Sequence, residues 1–167
     1  MARIETTTRI AAPRERCFDL ARSVDVHVRS AAGSAERAVG GRTAGLLGPH
    51  EEATWEATHF LLRLRLTSRI TVFERPSRFR DSMVRGPFAR LDHDHVFEDD
   101  GAGGTLMRDL FDYAAPLGLL GRLAERLFLT RHLRRFLDAR NAELKRIAES
   151  DEWRRYLRDG VAPPDLA

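Results

Sequence analysis

One cysteine, Cys17, stands in the whole 167-residue chain, so neither a disulfide framework nor a thiolate zinc site can form within it, and a reducing cytoplasmic setting is expected. Lysine is almost as scarce: Lys145 is the sole one among 28 basic residues, and arginine supplies the rest. No apolar run approaches the roughly 20 residues that span a bilayer, and the N-terminus lacks the apolar stretch of a secretory signal, so no stable membrane insertion is expected. A phosphate-cradling loop, a dinucleotide loop, a nucleophile elbow and an HExxH helix are all missing, which removes the commonest nucleotide, hydrolase and metalloprotease chemistries. The net charge of +3 and pI near 9.7 reflect the preference for arginine, and no nucleic-acid partner is expected.

What is present is a chain 43% hydrophobic and 32% charged, long enough for one domain with a substantial core. Ile4, Thr6, Thr8 and Ile10 alternate with polar neighbours and predict a first strand. Pro13 opens a short helix carrying Cys17 and Phe18, and Ser23 caps a second that runs to Ser30. A strand fits Ser34 to Val39, and the glycine-rich stretch Gly40 to Pro49 reads as a flexible lip. Glu51 to Phe60 and Leu62 to Glu74 alternate greasy and wet positions, the pattern of an antiparallel sheet covered on one side. Three further strands, Phe79 to Arg85, Phe88 to Glu98 and Thr105 to Tyr113, are separated by Gly86-Pro87 and by the Asp99 to Gly104 turn.

From Leu117 to Ala148 the period changes to that of one long amphipathic helix, with Leu120, Leu123, Leu127, Phe136, Leu137, Leu144 and Ile147 on its apolar side. Arg140 is grouped with the other arginines of its wet side. Residues 1–149 are taken as the domain and 150–167 as a tail, which frays or packs on a neighbour, a homodimer included.

The three strands from Phe79 to Tyr113 carry the chemistry. One face of each mixes large apolar residues with a few ionisable ones, as the wall of a partly polar pocket does. If Gly86-Pro87 pairs Arg85 with Ala89, Asp81 lies across from His93. If the glycine-rich turn pairs Phe97 with Thr105, His93 also faces Asp109, and an imidazole between two carboxylates is biased toward its charged form. Arg85, His59, His95 and Tyr113 add polar groups. The wall itself is Trp55, Phe79, Met83, Leu91, Phe97, Met107 and Phe111, with Leu120 and Leu127 from the helix.

Three readings of this row stay open. It is a buried network that fixes register and orients the polar end of a ligand. Alternatively His93 or His95 is a general acid/base, aided by Tyr113 or Arg85, with Asp81 and Asp109 completing the set. In the third, His93 and His95 clasp a metal with a carboxylate or His59. The first two need no cofactor, and neither metal nor cofactor is expected.

Several local phrases carry a family resemblance: Asp25-Val-His27-Val-Arg-Ser30, Thr54-Trp55-Glu-Ala57-Thr-His59-Phe60, Val84-Arg85-Gly86-Pro87-Phe88, His93-Asp-His95-Val-Phe97-Glu98 and Pro116-Leu-Gly118-Leu-Leu-Gly121. Over residues 2 to about 149 the chain resembles the SRPBCC, or START-like (Bet v 1-like), superfamily, in a bacterial branch described as polyketide cyclase/dehydrase-like. The resemblance implies an α+β helix-grip fold: a seven-stranded curved antiparallel sheet wrapped around a long C-terminal helix, with two short helices after the first strand. It implies a cavity for a small hydrophobic or amphipathic molecule. It fixes no reaction, since such scaffolds serve as carriers, receptors and cyclases.

Overall fold

The computed structural model describes residues 2–59, 62–116 and 128–157. Strand β1 (Ala2–Ile10) leads into helices α1 (Arg14–Ala21) and α2 (Val24–Ser30) and a 3-10 turn at Ala32–Ser34. Strands β2 (Arg37–Gly41), β3 (Glu52–His59), β4 (Leu62–Glu74), β5 (Arg78–Arg85), β6 (Arg90–Asp99) and β7 (Thr105–Ala114) follow, and then helix α3 (Thr130–Glu149). The strands form one antiparallel sheet in the order β1-β7-β6-β5-β4-β3-β2, which leaves β1 and β2 as free edges. This is the helix-grip arrangement expected above, with α1, α2 and α3 on the inner face. The first third of the long helix expected from Leu117, including Leu120, Leu123 and Leu127, lies outside the described residues.

Ser23 caps α2 by accepting a hydrogen bond from the Val26 amide. The expected strand at Ser34 begins later, because the 3-10 turn occupies Ala32–Ser34, and Gly40 and Gly41 complete it. Gly41 has a positive φ of 66°, and a Cβ there would collide with the Glu52 carbonyl of β3, so only glycine lets the two strands close. The loop after it is no loose lip: the Gly45 carbonyl accepts from Val24, the Arg22 carbonyl accepts from Leu47, and Asp25 accepts from the Gly45 amide.

The outer face of the sheet is a mosaic of ion pairs, Asp94 with Arg78 and Arg80, Glu56 with Arg37 and Arg65, Glu52 with Arg69. The inner face holds two apolar clusters. In the first, Phe18 of α1 sits edge-on to Phe73, Phe79 and Phe97, with ring centroids 5.3–5.5 Å away, above Met107, Leu144 and Ile147. Trp153, Tyr156 and Leu157, beyond α3, pack against the same cluster. The second gathers Ile4, Leu91, Phe111, Tyr113, Leu133 and Leu137.

The first cluster is tied to the N-terminal segment by Thr105, fully buried, whose hydroxyl donates to the Ala12 carbonyl at 2.7 Å. Thr105→Val leaves that carbonyl only the weak thiol donor of Cys17. A loss of about 1 kcal/mol in urea denaturation is expected, and an unchanged midpoint would show that the bond contributes nothing.

Candidate functional site

Between the two apolar clusters runs a polar row, and the same alternation on four elements puts it there. Along β6, inward residues pass from Leu91 through His93 and His95 to Phe97; along β7 from Phe111 through Asp109 to Met107; along β5 from Met83 through Asp81 to Phe79. On α3 the spacing of three and four residues makes the matching step, from Leu137 through Asn141 to Leu144. A single polar belt therefore crosses an otherwise apolar interior.

Asp81 pairs with His93 as the Gly86-Pro87 reversal predicted. The next register differs by two residues: His95, not His93, stands opposite Asp109, and His93 faces Phe111. Asp99 and Asp100 cause the difference. Their side chains accept from the amides of Gly101, Ala102 and Gly104 and tighten the turn, so pairing continues out to Asp99 and Thr105.

Asp109, 1% exposed, accepts four hydrogen bonds. Oδ1 takes His93 Nε2–H and His95 Nδ1–H, both at 2.9 Å. Oδ2 takes Asn141 Nδ2–H at 2.7 Å and the Thr6 hydroxyl at 3.3 Å. Four donors fill the lone-pair positions of a carboxylate, so Asp109 has none left for a ligand. His95 also donates Nε2–H to Asp81 Oδ2 at 3.2 Å, so both ring nitrogens carry protons.

Burial opposes that charge, but the hydrogen bonds to Asp109 and Asp81 and their charges outweigh it and lift the His95 pKa to about 9. Burial, with the neighbouring His95 charge, pushes His93 down. The imidazolium expected at position 93 is thus at position 95, because the two carboxylates converge on His95. His93 stays neutral, with its proton on Nε2 and its basic lone pair on Nδ1. Burial raises the Asp109 and Asp81 carboxyls, yet their bonds to the histidines hold both below the ordinary range, Asp109 well below it.

On the Leu91–Phe111 side of the belt the interior is hollow. A cavity of about 260 Å³ is bounded by Trp55, Ala57, Leu64, Leu66, Phe88, Leu91, Phe111, Leu129, Leu133, Phe136 and Leu137, with Asp81, His93, His27, Glu36, His132 and Arg140 as its polar members. His27 links two of the others, Glu36 and Arg140. Its Nε2–H donates to Glu36 Oε1 at 2.8 Å, and Nδ1 accepts from Arg140 Nη2–H at 2.9 Å. Burial and the Arg140 charge push the His27 pKa down, in accord with a neutral ring. Trp55 stacks on that ring at 3.8 Å and is held in turn by its indole N–H bond to Ser68.

Of the candidate site residues, Trp55, Leu91, Phe111, Asp81 and His93 line the cavity. Phe79, Phe97 and Met107 do not line it: they belong to the Phe18 cluster on the far side of the belt, where small voids of about 10 and 30 Å³ adjoin Met107 and Phe79. Met83 packs at the edge of the second cluster. Arg85 is exposed on β5 and is not among the described residues that line the cavity. Tyr113 is fully buried, and its hydroxyl meets Thr130 of α3 at 2.7 Å. His59 ends β3, but its side chain lies outside the described residues.

Arg140, placed above with the wet side of the helix, faces inward. It lies three residues after Leu137 and four before Leu144, both inward-facing, so helical spacing alone carried the signal for it and for Asn141. Glu36, the other group missed, sits in the connection between the 3-10 turn and β2, where no periodicity marks an inner face.

Asp81, His93 and His95 each offer a ligand atom within 4.8 Å of the others, as a metal site requires. In this arrangement both nitrogens of His95 are committed to carboxylates, so an ion would have to displace the proton shared with Asp81.

No protein-family model matches the chain, and no curated protein matches it in sequence. Solved structures do match in shape. TTHA0849 from Thermus thermophilus is 18% identical with a TM-score of 0.71, over 87% of this chain and 95% of that one. The Zhui aromatase/cyclase from Streptomyces sp. R1128 is 15% identical with a TM-score of 0.71, over 95% and 98%. A START superfamily protein from Mycobacterium smegmatis is 10% identical with a TM-score of 0.65, over 87% and 98%. At these identities the likeness is one of fold, and the fold is the START-like helix grip.

Proposed function

We propose that the protein binds a small amphipathic organic molecule in the cavity between sheet and α3, with the ligand's oxygenated end against the Asp81, His93, His27 and Arg140 wall. The observation that carries this reading is the asymmetry of the cavity, apolar on the Leu91–Phe111–Leu133–Phe136 side and polar where it meets the belt. At about 260 Å³ it lies just under the roughly 300–1,000 Å³ of sites for drug-sized ligands, which favours a compact ring system or short acyl chain over a long lipid.

Native mass spectrometry of freshly purified protein tests it: a bound organic molecule of low mass is expected, and Ala57→Phe, which fills the cavity from β3, should abolish it. An environment-sensitive apolar dye should lose affinity at least about tenfold in the same variant. Protein that carries no such molecule and binds the dye equally well with Phe at position 57 would sink the reading.

A second reading rests on the protonation of the row. A neutral His93 beside an apolar cavity, its Nε2 proton held by Asp109, is in the state a general base needs for enolisation or dehydration of a carbonyl substrate. His93→Gln separates the two. A cyclase or dehydratase would lose about 10²–10⁴-fold in turnover while still binding substrate, whereas a carrier would show a change in affinity alone.

A further inference from the structure

The polar wall contains a cation whose partner is a neutral ring. Arg140 has five N–H donors, and among the described residues its hydrogen-bonding partner is His27 Nδ1, at 2.9 Å. Its Nε is shut off from solvent without an acceptor, and no carboxylate lies within ion-pairing distance of its guanidinium among the described residues. The wall's carboxylates are engaged elsewhere: Asp81 pairs with His95, and Glu36 accepts from His27. An Nε–H shut off from solvent without an acceptor loses solvation that nothing returns.

The chain nevertheless holds this guanidinium in place. The Glu36 carboxylate fixes the His27 tautomer, Trp55 stacks on the ring, His27 accepts one Nη2–H, and the guanidinium carbon stands 5.7 Å from the centre of the Phe136 ring. An arm oriented by four groups, with most of its donors unspent, is built as a receptor for an oxyanion, since two parallel N–H bonds from one fork match a carboxylate.

We propose that Arg140 receives the carboxylate of an organic acid whose compact apolar body fills the cavity. This rests on the cavity-binding reading above and names the class of ligand. Asp81, the carboxylate facing the same space, disfavours a dianion, so a monocarboxylic acid is the preferred occupant.

Isothermal titration with 2-naphthoate and with 2-naphthamide, which share shape and differ in charge, tests the assignment. Wild-type protein is expected to prefer naphthoate by roughly tenfold or more. Arg140→Gln should remove that preference, with naphthoate losing at least about tenfold more affinity than naphthamide, and Arg140→Lys should retain part of it. Equal affinities in the wild type, or a preference that survives in Arg140→Gln, would overturn the assignment while leaving the cavity reading intact. Failure of both probes to bind the wild type would overturn both. The wild-type comparison decides the point even if a variant does not fold.

Discussion

Asp109→Ala is expected to destabilise the protein by about 3–5 kcal/mol, the cost of stripping a buried charge of its partner, and to lower the melting temperature by roughly 6–20 °C for a chain of this size. Asp109 holds His93, His95, Asn141 and Thr6 at once, and so joins β6, β7, β1 and α3 through one carboxylate. Its loss leaves the imidazolium at His95 with Asp81 alone, and leaves the Asn141 amide only the longer bond to the Thr6 hydroxyl, at 3.1 Å. Asp109→Asn keeps the volume but presents two donors where two acceptors were used, so a similar loss is expected. Urea and thermal denaturation measure both. Melting within about 2 °C of the parent would mean that the belt does not secure the sheet to the helix.

Stability is expected to fall on either side of a maximum near pH 6.5. His95 binds its proton more tightly when folded, at about 9, than in the unfolded chain, at about 6.5. Its contribution is therefore complete below pH 6.5 and is lost as pH rises through 9, on the order of 3 kcal/mol in all. His93 and His27 act in the opposite sense. Both are pushed down on folding, so below pH 6.5 the unfolded chain takes up protons that the folded one refuses, and stability declines. Asp81 and Asp109, both held low, contribute at all higher pH and are lost only as pH falls below the ordinary carboxylate range. Denaturation measured from pH 5 to 10 should show the alkaline loss in the parent and a flattened slope in His95→Gln. The same slope in both would place the imidazolium elsewhere.

The two predictions lean on a register that parity could not supply. Alternation told which face each of Asp81, His93, His95 and Asp109 occupies, because the period of a strand is two and survives any shift by an even number. It could not tell His93 from His95 as the partner of Asp109: that depends on how many residues the Asp99–Gly104 turn consumes, and the turn is closed by side chain to backbone bonds. The same limit explains Phe79, Phe97 and Met107. They face inward as expected, but whether an inward residue meets a void or another ring depends on what α1 brings over it, and Phe18 packs at that end.

Arg140 is a different kind of miss. Its chemistry suits the wet side of the helix, but its spacing from Leu137 and Leu144 puts it inside, and here period is the better guide than residue type. His27 and Glu36 become a pair through the meeting of α2 with the chain entering β2, a contact across nine residues that no regular repeat announces.

Alone, the sequence determined the order of elements, the antiparallel sheet, the inward faces and the mixed polar and apolar character of one wall, because each follows from local periodicity and turn chemistry. Only the folded chain decided which end of the interior is hollow, which histidine carries the charge, and which arginine faces the cavity. Those outcomes depend on distances between residues far apart in the chain, where a few ångströms determine whether two carboxylates share one imidazole and whether a guanidinium meets a ring or a carboxylate.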